Sequence, residues 1–545
     1  MNYKYIITSI FAILNISAYS QNTDSLIFSK EQGYYTKPFE LKITNTSPDN
    51  TIYYTLDGSI PTKNCFIYKA PVKIDYRYNA PNVISNIPTT LNYEISLGFQ
   101  WVQPKSHVFK ATVIRAVSYK NQKPSSKVYT YTFFVDTAMY LRYNYPVISL
   151  VTNPDNFFDK DKGIYVPGKD YIKTQYGTKW SGNYLERGKQ WERPVNIAFF
   201  EKNGDVAFSQ NAGVRIHGHD SRRKTQKSLR LYARKEYGKK ILNYKLFLQK
   251  NKNKFKRFIL QASFRGNVGF NDLLIHDIAR NLNIDAQDYR PVIIFINGEY
   301  WGIHTIKDRI DKYYLSSKYN VDKNKIDILE NDGTEIEGSK KNYRTLILFI
   351  KNNDLTDTKN YEYIKTQIDI ENYINYQITN IYFNVYDWVN NIKFWRAQTS
   401  NGKWRWILYD SNSGLKKDYT YNSLQQATVE NKKTNTLLFR NLLKNKEFKN
   451  QFINTFALII NTDFSKDTVI NKINQFENIY QLEIKEHIER WLNVNTDEFI
   501  STWHNNIDKL RGFAINRPFY MKKYLLEEFN LDPNLDKPEP NRVIR

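Results

Sequence analysis

The sequence predicts an α+β protein, with a small all-β sandwich near the N-terminus and a larger, two-lobed domain whose C-terminal half is rich in helices. Three observations carry this prediction. Residues 26–134 consist of short, alternating apolar runs separated by turn residues. Strand-like runs dominate from residue 145 to residue 296. After that, apolar residues recur mainly at helical spacing.

The chain is long, aromatic and strongly basic. It has 545 residues, of which 15% are aromatic, and a formal net charge of +24. This length allows two or three domains with a large core, and the aromatic content excludes a disordered composition. A basic chain can bind nucleic acid, an anionic membrane surface or a phosphorylated substrate. Because the lysines are spread along the chain and no nucleic-acid-reading motif is present, we expect no nucleic-acid partner.

The first 20 residues have the layout of a secretory signal peptide. Lys4 precedes an apolar run at residues 6–16, and a small-x-small pattern ends at Ser20. We therefore expect cleavage near Ser20 and export of a soluble bacterial protein to the periplasm, the cell surface or the medium. The apolar run is too short to span a membrane and no later run is apolar for long enough, so no transmembrane segment is predicted. Cys65 is the only cysteine, which excludes an intrachain disulfide.

Residues 25–136 are predicted to form the small β-sandwich. Its alternating runs are separated by turn residues such as Asp57-Gly58. The stretch YYTLDGSIPT at residues 53–62, with IRAV at residues 114–117, resembles the chitobiase/β-hexosaminidase C-terminal type of immunoglobulin-like module. That resemblance favours a spacer role and leaves contact with a cell-surface glycan as the alternative. Residues 75–105 are predicted to be an inserted loop or an extra hairpin.

The second domain is predicted to span residues 140–531. Its strands are predicted at residues 146–151, 195–200, 213–217, 228–233, 258–262 and 291–296. Its helices are predicted at residues 271–283, 370–386, 437–460, 469–492 and 517–529. Residues 532–545 are polar and contain proline, and they are predicted to be a disordered tail.

An aromatic hairpin in this domain is expected to gather oxygen ligands at one end. Residues 392–398 and 403–409 are rich in aromatic and β-branched residues and flank a turn that ends in Asn-Gly. Because a hairpin brings its ends together, Asp387 and Asn391 are expected to lie near Asp410 and Asn412. Their carboxylate and amide oxygens are ligands for hard cations such as Mg²⁺. The alternative is that these residues only form turns at the strand ends.

A polar, basic loop joins two predicted strands within residues 213–232. Its candidate phosphate-binding residues are Arg215, Ser221, Arg222 and Lys227, because cations and backbone amides in such a loop can face an anion. Lys227 opens the second strand and is expected to point inward at a phosphate. The alternative is a basic, solvated hairpin.

A further tight hairpin is predicted at Asn297-Gly298, after an apolar strand. Asp308 and Asp311 follow it, three residues apart. At the start of a helix both carboxylates would interact favourably with the helix dipole. The alternative is that one of them pairs with a phosphate-binding lysine.

Six ordered stretches together resemble the CotH family, the spore-coat-protein-H type of atypical protein kinases. They are PVISLVTNPDNFFDKDKGIYVPG, WERPVNIAFFEKNGD, GVRIHGHDSR with QKSLRLYAR, NGEYWGIHTIKDRID, DWVNNIKFWR and GKWRWILYDSNSG. The resemblance implies a reduced protein-kinase fold that binds ATP and Mg²⁺ and phosphorylates Ser or Thr of a protein substrate. It also implies that Lys227 binds the nucleotide phosphates, that Asp387 accepts the proton of the substrate hydroxyl, and that Asn391 and Asp410 bind the metal.

Two residues depart from the pattern of that family. The strand that usually ends in Asp-x-Asp ends here in Asp410-Ser411-Asn412, which removes one negative charge from the expected metal site. In the stretch NGEYWGIHTIKDRID, this chain has Asp308 where the family usually has a glutamate. Aspartate is one methylene shorter, so its carboxylate reaches less far toward Lys227. A second function stays open for this reason: a non-catalytic cell-surface binding or scaffold protein, with a kinase-like pocket and a glycan- or partner-binding sandwich.

Overall fold

The computed structural model describes residues 24–91, 101–174, 177–178, 181–248, 252–262, 268–492 and 494–532. The predicted signal peptide at residues 1–20 lies outside these residues, and so does the predicted disordered tail beyond residue 532. The α+β prediction is confirmed, because strands fill the first part of the described chain and helices fill most of the last part. In the described ranges, no helix is both long enough and apolar enough to cross a membrane.

The N-terminal module is a β-sandwich of short strands. Its strands are β1 (Leu26–Phe28), β2 (Gly33–Tyr35), β3 (Phe39–Leu41), β4 (Ile43–Asn45), β5 (Thr51–Thr55), β6 (Phe66–Ile67), β7 (Val72–Ile74), β8 (Thr112–Lys120), β9 (Lys123–Pro124) and β10 (Tyr129–Val135). One sheet has the order β2-β10-β8-β5-β6, and the pairs β1–β4 and β3–β7 lie against it. The core between the layers includes Leu41, Ile74 and Ile114. In the described part of the predicted insertion at 75–105 there is one helical turn, Ile84–Asn86, and no strand.

Part of the sheet of the module, around β10 and β2, is buried on both of its faces. Phe133 faces the sandwich core, whereas its neighbour Phe134 packs against Phe200 and Phe295 of the second domain, with ring centroids 5.3 and 4.9 Å apart. Tyr34 stacks on Phe200 from the same side. Because successive residues of a strand point to opposite faces, the module shares a core with the second domain. A freely tethered spacer would not do so.

Polar contacts reinforce this junction. The amide of Ala111 donates a hydrogen bond to the carbonyl of Gly298 at 2.8 Å. The buried carboxylate of Glu299 accepts hydrogen bonds from the amides of Val83 and Ser85 at 2.7 and 2.8 Å. The tip of the predicted hairpin at residues 297–298 is therefore held by the module.

The second domain begins with a closed β-barrel. The strands in this region are β11 (Val147–Val151), β12 (Lys173–Thr174), β13 (Gly177–Thr178), β14 (Arg193–Phe200), β15 (Val206–His217), β16 (Ser228–Tyr232), β17 (Leu242–Asn243), β18 (Lys254–Phe255), β19 (Arg257–Ala262), β20 (Asp285–Ala286), β21 (Tyr289–Ile296) and β22 (Glu299–Lys307). The barrel closes in the order β11-β14-β15-β16-β19-β22-β21. Its interior is filled by apolar side chains such as Leu229, Phe258 and Trp301.

A second sheet and the helices complete the domain. The remaining strands are β23 (Ile326–Glu330), β24 (Thr334–Glu337), β25 (Lys393–Ala397) and β26 (Arg405–Leu408), and the sheet has the order β20-β26-β25-β23-β24. The helices are α1 (Met139–Arg142), α2 (Pro154–Phe158), α3 (Asn271–Ile278), α4 (Lys312–Tyr319), α5 (Lys341–Asn352), α6 (Thr358–Gln367), α7 (Ile370–Tyr382), α8 (Ser423–Thr428), α9 (Thr434–Leu442), α10 (Lys446–Asn461), α11 (Lys466–Tyr480), α12 (Ile484–Trp491) and α13 (Thr496–Phe529).

Three helix predictions were wrong in their extent. The predicted helices at 437–460 and 469–492 are each two helices. In the first of them a new cap interrupts the pattern, because Asn445 accepts a hydrogen bond from the amide of Phe448 and starts α10. The predicted helix at 517–529 is the last third of α13, which has 34 residues and passes through Pro518. Proline removes one backbone hydrogen bond, but buried residues on both sides of it, such as Leu510 and Met521, keep the helix continuous.

Candidate functional site

The predicted aromatic hairpin is present, and it places two loops side by side. Strands β25 and β26 are antiparallel, with Lys393 opposite Ile407 and Trp395 opposite Arg405. Trp406 is buried, as the alternation along β26 predicts. The loop before β25 (residues 383–391) and the loop after β26 (residues 409–415) therefore meet at one end of the hairpin.

Four of the predicted site residues lie in these two loops and contact one another or a shared neighbour. Nδ2 of Asn412 donates a hydrogen bond to Oδ1 of Asp410, and Nδ2 of Asn391 lies 3.5 Å from the carbonyl oxygen of Asp410. Oγ of Ser413 donates to Oδ1 of Asp387. The four predicted residues are thus brought together, and Ser413 is an additional member that the sequence analysis did not select.

Burial makes Asp387 a stronger base than an exposed aspartate. It raises the pKa of Asp387 above its ordinary value. The hydrogen bond from Ser413 opposes this rise, and the negative charge of Asp410 adds to it. A carboxylate with a raised pKa is better matched to accepting a proton from a hydroxyl group. Asp387 can therefore act as a proton acceptor at this position.

The backbone of both loops takes the left-handed conformation at a polar residue. Asn384 has a φ of 54° and Asp410 a φ of 49°, and Leu415 at the end of the second loop is left-handed as well, with a φ of 62°. Asparagine and aspartate tolerate this conformation better than other residues with a Cβ atom. The residue types at these two turns are thus suited to the backbone as well as to polar contacts.

The oxygen atoms of this cluster fit Mg²⁺. That ion is usually held by one or two carboxylates together with water and substrate phosphates. Asp410 can supply a carboxylate, and Asn391 can supply an amide oxygen. The side-chain amide of Asn412 donates a hydrogen bond to Asp410. An ionised aspartate at position 412 could not make this contact. Among the residues with described structure, no group of three His, Cys, Asp or Glu side chains could hold a metal ion.

A buried ion pair that the sequence analysis missed supports the 409–415 loop. Nζ of Lys307 pairs with Oδ2 of Asp272, and Oδ1 of Asp272 accepts a hydrogen bond from the amide of Ser411 at 2.7 Å. His276 lies 3.4 Å from the same carboxylate. Burial acts to raise the pKa of Asp272, but the charge of Lys307 outweighs it and holds that pKa well below its ordinary value. The carboxylate of Asp272 is therefore ionised at neutral pH.

The sequence contains only a weak indication that Lys307 and Asp272 form a pair. Lys307 directly precedes Asp308 in the chain, and Asp272 lies in the first turn of α3. Every residue of β22 is buried, so alternation along that strand does not reveal which side chain faces the site. The pairing depends on how α3 packs against the end of the barrel.

Lys227 lies elsewhere, inside the barrel wall. Its Nζ donates to the carbonyl of Lys224 at 2.7 Å and lies 4.1 Å from the ring centroid of Tyr184. Burial lowers the pKa of Lys227 well below its usual value. In the described part of the chain no carboxylate pairs with it. Asp308, its expected partner, instead binds Nζ of Lys252 at 2.8 Å. The structure therefore does not bring Lys227 and Asp308 together.

The other basic residues of the 213–232 segment also have local partners. The guanidinium of Arg222 donates to several backbone carbonyls, including those of Gly218 and Ile216 at 2.8 Å. Arg215 pairs with Glu192 at 2.7 Å. Ser221 is buried next to Gly218, and its Oγ would lie 2.2 Å from a Cβ atom added there. These residues organise the loop, and their predicted contact with phosphate stays a prediction.

Arg517 on α13 holds the 383–391 loop in place through hydrogen bonds. This side chain is fully buried. Its guanidinium donates to Oδ1 of Asn384 at 2.5 Å and to the carbonyl of Tyr382 at 2.9 Å. It also donates to the carbonyls of Tyr419 and Tyr421 at 2.7 Å. One side chain thus joins the end of α7, the turn before Asp387 and the segment that follows the second loop.

Comparison with known families assigns both parts of the chain. Residues 214–521 match the family described as CotH kinase protein, and this match covers more than half of the chain. Residues 35–133 match the family described as Fn3 associated, which agrees with a β module at the N-terminus. A search among curated proteins found no match.

Proposed function

The chain belongs to the CotH kinase protein family, and on that premise we propose that it is an exported Ser/Thr protein kinase that uses ATP and Mg²⁺. The observation that carries the proposal is the meeting of the 383–391 and 409–415 loops, where Asp387 and Asp410 are linked through Ser413 and Asn412. Phosphoryl transfer requires a carboxylate that orients the nucleophile and further oxygen ligands for the metal. This pair of loops offers both.

Each residue of the cluster has a defined part in the proposed reaction. The hydroxyl oxygen of the substrate forms a bond to the γ-phosphorus of ATP, the bond from that phosphorus to the β-phosphate oxygen breaks, and Asp387 takes the hydroxyl proton. Asp410 and Asn391 would hold the metal ion, which would neutralise charge on the phosphates when bound. Asp272 and Lys307 are positioning residues, because they fix the backbone of Ser411 next to Asp410.

The test is the replacement Asp387→Asn in the full chain. We expect it to lower transfer of labelled γ-phosphate to a Ser/Thr peptide library by about 100-fold or more, since general-base catalysis contributes at least that much. The affinity for Mg²⁺-ATP should stay within about twofold, because Asp387 acts on the hydroxyl. Asp467→Asn is the matched control, since Asp467 is 85% exposed on α11, and it should change neither quantity.

The hydrogen bond from Asn412 to Asp410 favours a second candidate function, a non-catalytic nucleotide-binding or scaffold protein. In that case the neutral Asn412 leaves the metal site too weak for catalysis. The same assay separates the two candidates. Transfer by the wild-type protein that Asp387→Asn abolishes supports the kinase. Binding of Mg²⁺-ATP without any transfer by the wild-type protein contradicts the kinase and supports the scaffold.

A further inference from the structure

A cavity of about 420 Å³ lies between the N-terminal module and the second domain. The module contributes Tyr78 and residues 106–109 to its walls, and the second domain contributes Tyr300 of β22 and residues of α12. None of the residues that line it belongs to the loops at 383–391 and 409–415. Cavities of this size commonly hold small molecules. This space, called here the junction cavity, is therefore large enough for a second ligand.

Arg490 on α12 brings a buried positive charge to the wall of the junction cavity. The residue is 1% exposed, and none of its side-chain nitrogen atoms, Nε, Nη1 and Nη2, has a hydrogen-bond partner among the described residues. The guanidinium lies over two indole rings, with Cζ 4.0 Å from the ring centroid of Trp491 and 4.8 Å from that of Trp301. A buried charged donor is destabilising unless an acceptor binds it.

Glu299 attracts Arg490 but does not bind it. The charge of this carboxylate acts on Arg490. Its two oxygens, however, accept hydrogen bonds from the amides of Val83 and Ser85, and neither oxygen accepts one from Arg490. Arg517 is buried to the same degree, yet its guanidinium donates to backbone carbonyls and to a side-chain oxygen. Arg490 therefore differs from Arg517, because the described part of the protein leaves its donors unused.

The contacts of α12 hold Arg490 in this position. His487 and Trp491 lie on the same face of the helix as Arg490. Nδ1 of His487 accepts a hydrogen bond from the amide of Ile303 at 3.1 Å, and Nε1 of Trp491 donates to the carbonyl of Trp301 at 3.1 Å. Because this face of α12 is fixed on β22, the guanidinium is held at the wall of the cavity.

Tyr300 adds a second unused donor to the same cavity. Its hydroxyl is buried and has no hydrogen-bond partner in the described ranges. Burial raises the pKa of Tyr300 well above its ordinary value, so the hydroxyl keeps its proton and can donate at neutral pH. A guanidinium and a hydroxyl that line one cavity are both suited to an anionic oxygen acceptor.

The two carboxylates in the wall of the cavity each have a cation beside them. Glu486 pairs with Arg142 at 3.0 Å, and Glu489 is exposed one helical turn from Lys485. Among the described residues, Arg490 is the wall cation whose donors have no such partner. A ligand with one carboxylate fits it, because a planar guanidinium can bind both carboxylate oxygens at once.

We propose that the junction cavity binds the carboxylate of a small organic acid through the guanidinium of Arg490 and the hydroxyl of Tyr300. Neighbouring side chains cover these polar atoms, so the acid must displace part of the wall, and its anionic group must be compact. Because the walls belong to the module and to the second domain, the bound acid joins the two. The loops of the candidate kinase site take no part, so acid binding and phosphoryl transfer can succeed or fail independently.

The experiment uses the full chain, with thermal unfolding and titration calorimetry in acetate, benzoate and D-glucuronate. We expect at least one acid to raise the Tm of wild type by about 2 °C or more, because a ligand that binds only the folded state stabilises it. Arg490→Met should weaken binding of that acid by about 100-fold or more, and Tyr300→Phe by about 10-fold. Lys523→Gln, on α13 and 51% exposed, also removes one positive charge and should bind the acid as wild type does.

A purely structural role for Arg490 gives a different result. Without acid, Arg490→Met should unfold at the Tm of wild type or above it, because it removes a buried charge that has no counter-ion. Tyr300→Phe should keep the Tm of wild type, since the lost hydroxyl has no partner, and it decides the matter if Arg490→Met does not fold. A lower Tm of Arg490→Met with unchanged acid binding would show that Arg490 only packs against the indoles.

Three results overturn the proposal. The first is that none of the three acids binds wild type at concentrations up to the millimolar range. The second is that inorganic phosphate binds in place of the acids. The third is that Arg490→Met and Tyr300→Phe bind the acid as tightly as wild type does.

Discussion

Asn412 makes the candidate metal site less negative than an aspartate at this position would, and it still contacts Asp410. An aspartate at this position would place a second negative charge beside Asp410 and repel it. The amide of Asn412 donates a hydrogen bond to Asp410 instead. Fewer negative charges near the metal weaken its binding, so any compensation for the phosphate charge must come from cations.

Glu483 is expected to make the stability of the protein depend on pH. This carboxyl group is 4% exposed and accepts a hydrogen bond from the amide of Asn144 at 2.6 Å. Burial raises the pKa of Glu483 to about 7, from 4.5. The folded state therefore holds a proton that the unfolded state loses, and the stability contributed by the protonated group is lost as pH rises through 7.

We predict that the free energy of unfolding falls by up to about 3 kcal/mol between about pH 5 and pH 8 through this residue. Glu483→Gln keeps the acceptor for Asn144 and should remove that part of the pH dependence. Urea unfolding at both pH values measures it. Glu489→Gln, an exposed change on the same helix, is the control. An equal pH dependence in Glu483→Gln and wild type would show that Glu483 is not the cause.

Helix α13 supports the candidate site, although it is far in sequence from the two loops that form the site. It packs along the helical half of the domain, and Arg517 reaches from it to the turn at Asn384. A planar guanidinium can satisfy several buried carbonyls at once, which a lysine cannot. Helix α13 therefore sets the position of the loop that carries Asp387.

We predict that Arg517→Lys destabilises the protein by about 3 kcal/mol, because buried carbonyls lose their donors. In the folded fraction, kcat should fall, since the loop that carries Asp387 shifts when Asn384 loses its partner. Chemical unfolding and steady-state kinetics measure the two effects. Arg511→Lys lies on the same helix at 28% exposure and should cost less than about 1 kcal/mol. If both variants lose kcat equally, α13 acts through its overall stability and not through Arg517.

At the scale of the whole molecule, the N-terminal module is part of the domain core. Phe134 and Tyr34 of the module, with Phe200 and Phe295 of the barrel, belong to one buried cluster that extends into the helical half. Glu299 adds hydrogen bonds across the same junction. We therefore expect the module and the second domain to unfold together.

The prediction is a single cooperative transition in scanning calorimetry of the full chain. Phe134→Ala should lower the free energy of unfolding by about 3–5 kcal/mol, the usual cost of such a buried truncation, and should move the whole transition. Phe66→Ala, at a side chain that is 62% exposed, should have an effect below about 0.5 kcal/mol. Two separate transitions, with only one of them moved by Phe134→Ala, would show that the module folds as an independent unit.

Local patterns in the sequence were enough to predict much of the fold. Alternation and the Asn-Gly turn predicted the hairpin of β25 and β26, and the hairpin in turn predicted that Asp387 and Asn391 lie near Asp410. These predictions succeeded because strand period and turn chemistry are properties of neighbouring residues. Helix ends were predicted less well, since caps such as Asn445 lie within apolar patterns that continue on both sides.

The sequence by itself determined the class of the fold, the family and the end of the hairpin where carboxylates gather. Only the tertiary structure decided which cations meet them. Lys307 and Asp272 are paired across 35 positions in sequence. Their meeting depends on closure of the barrel and on how α3 packs against its end. No local pattern encodes such long-range contacts, because each side chain is compatible with several partners until the strands are in place.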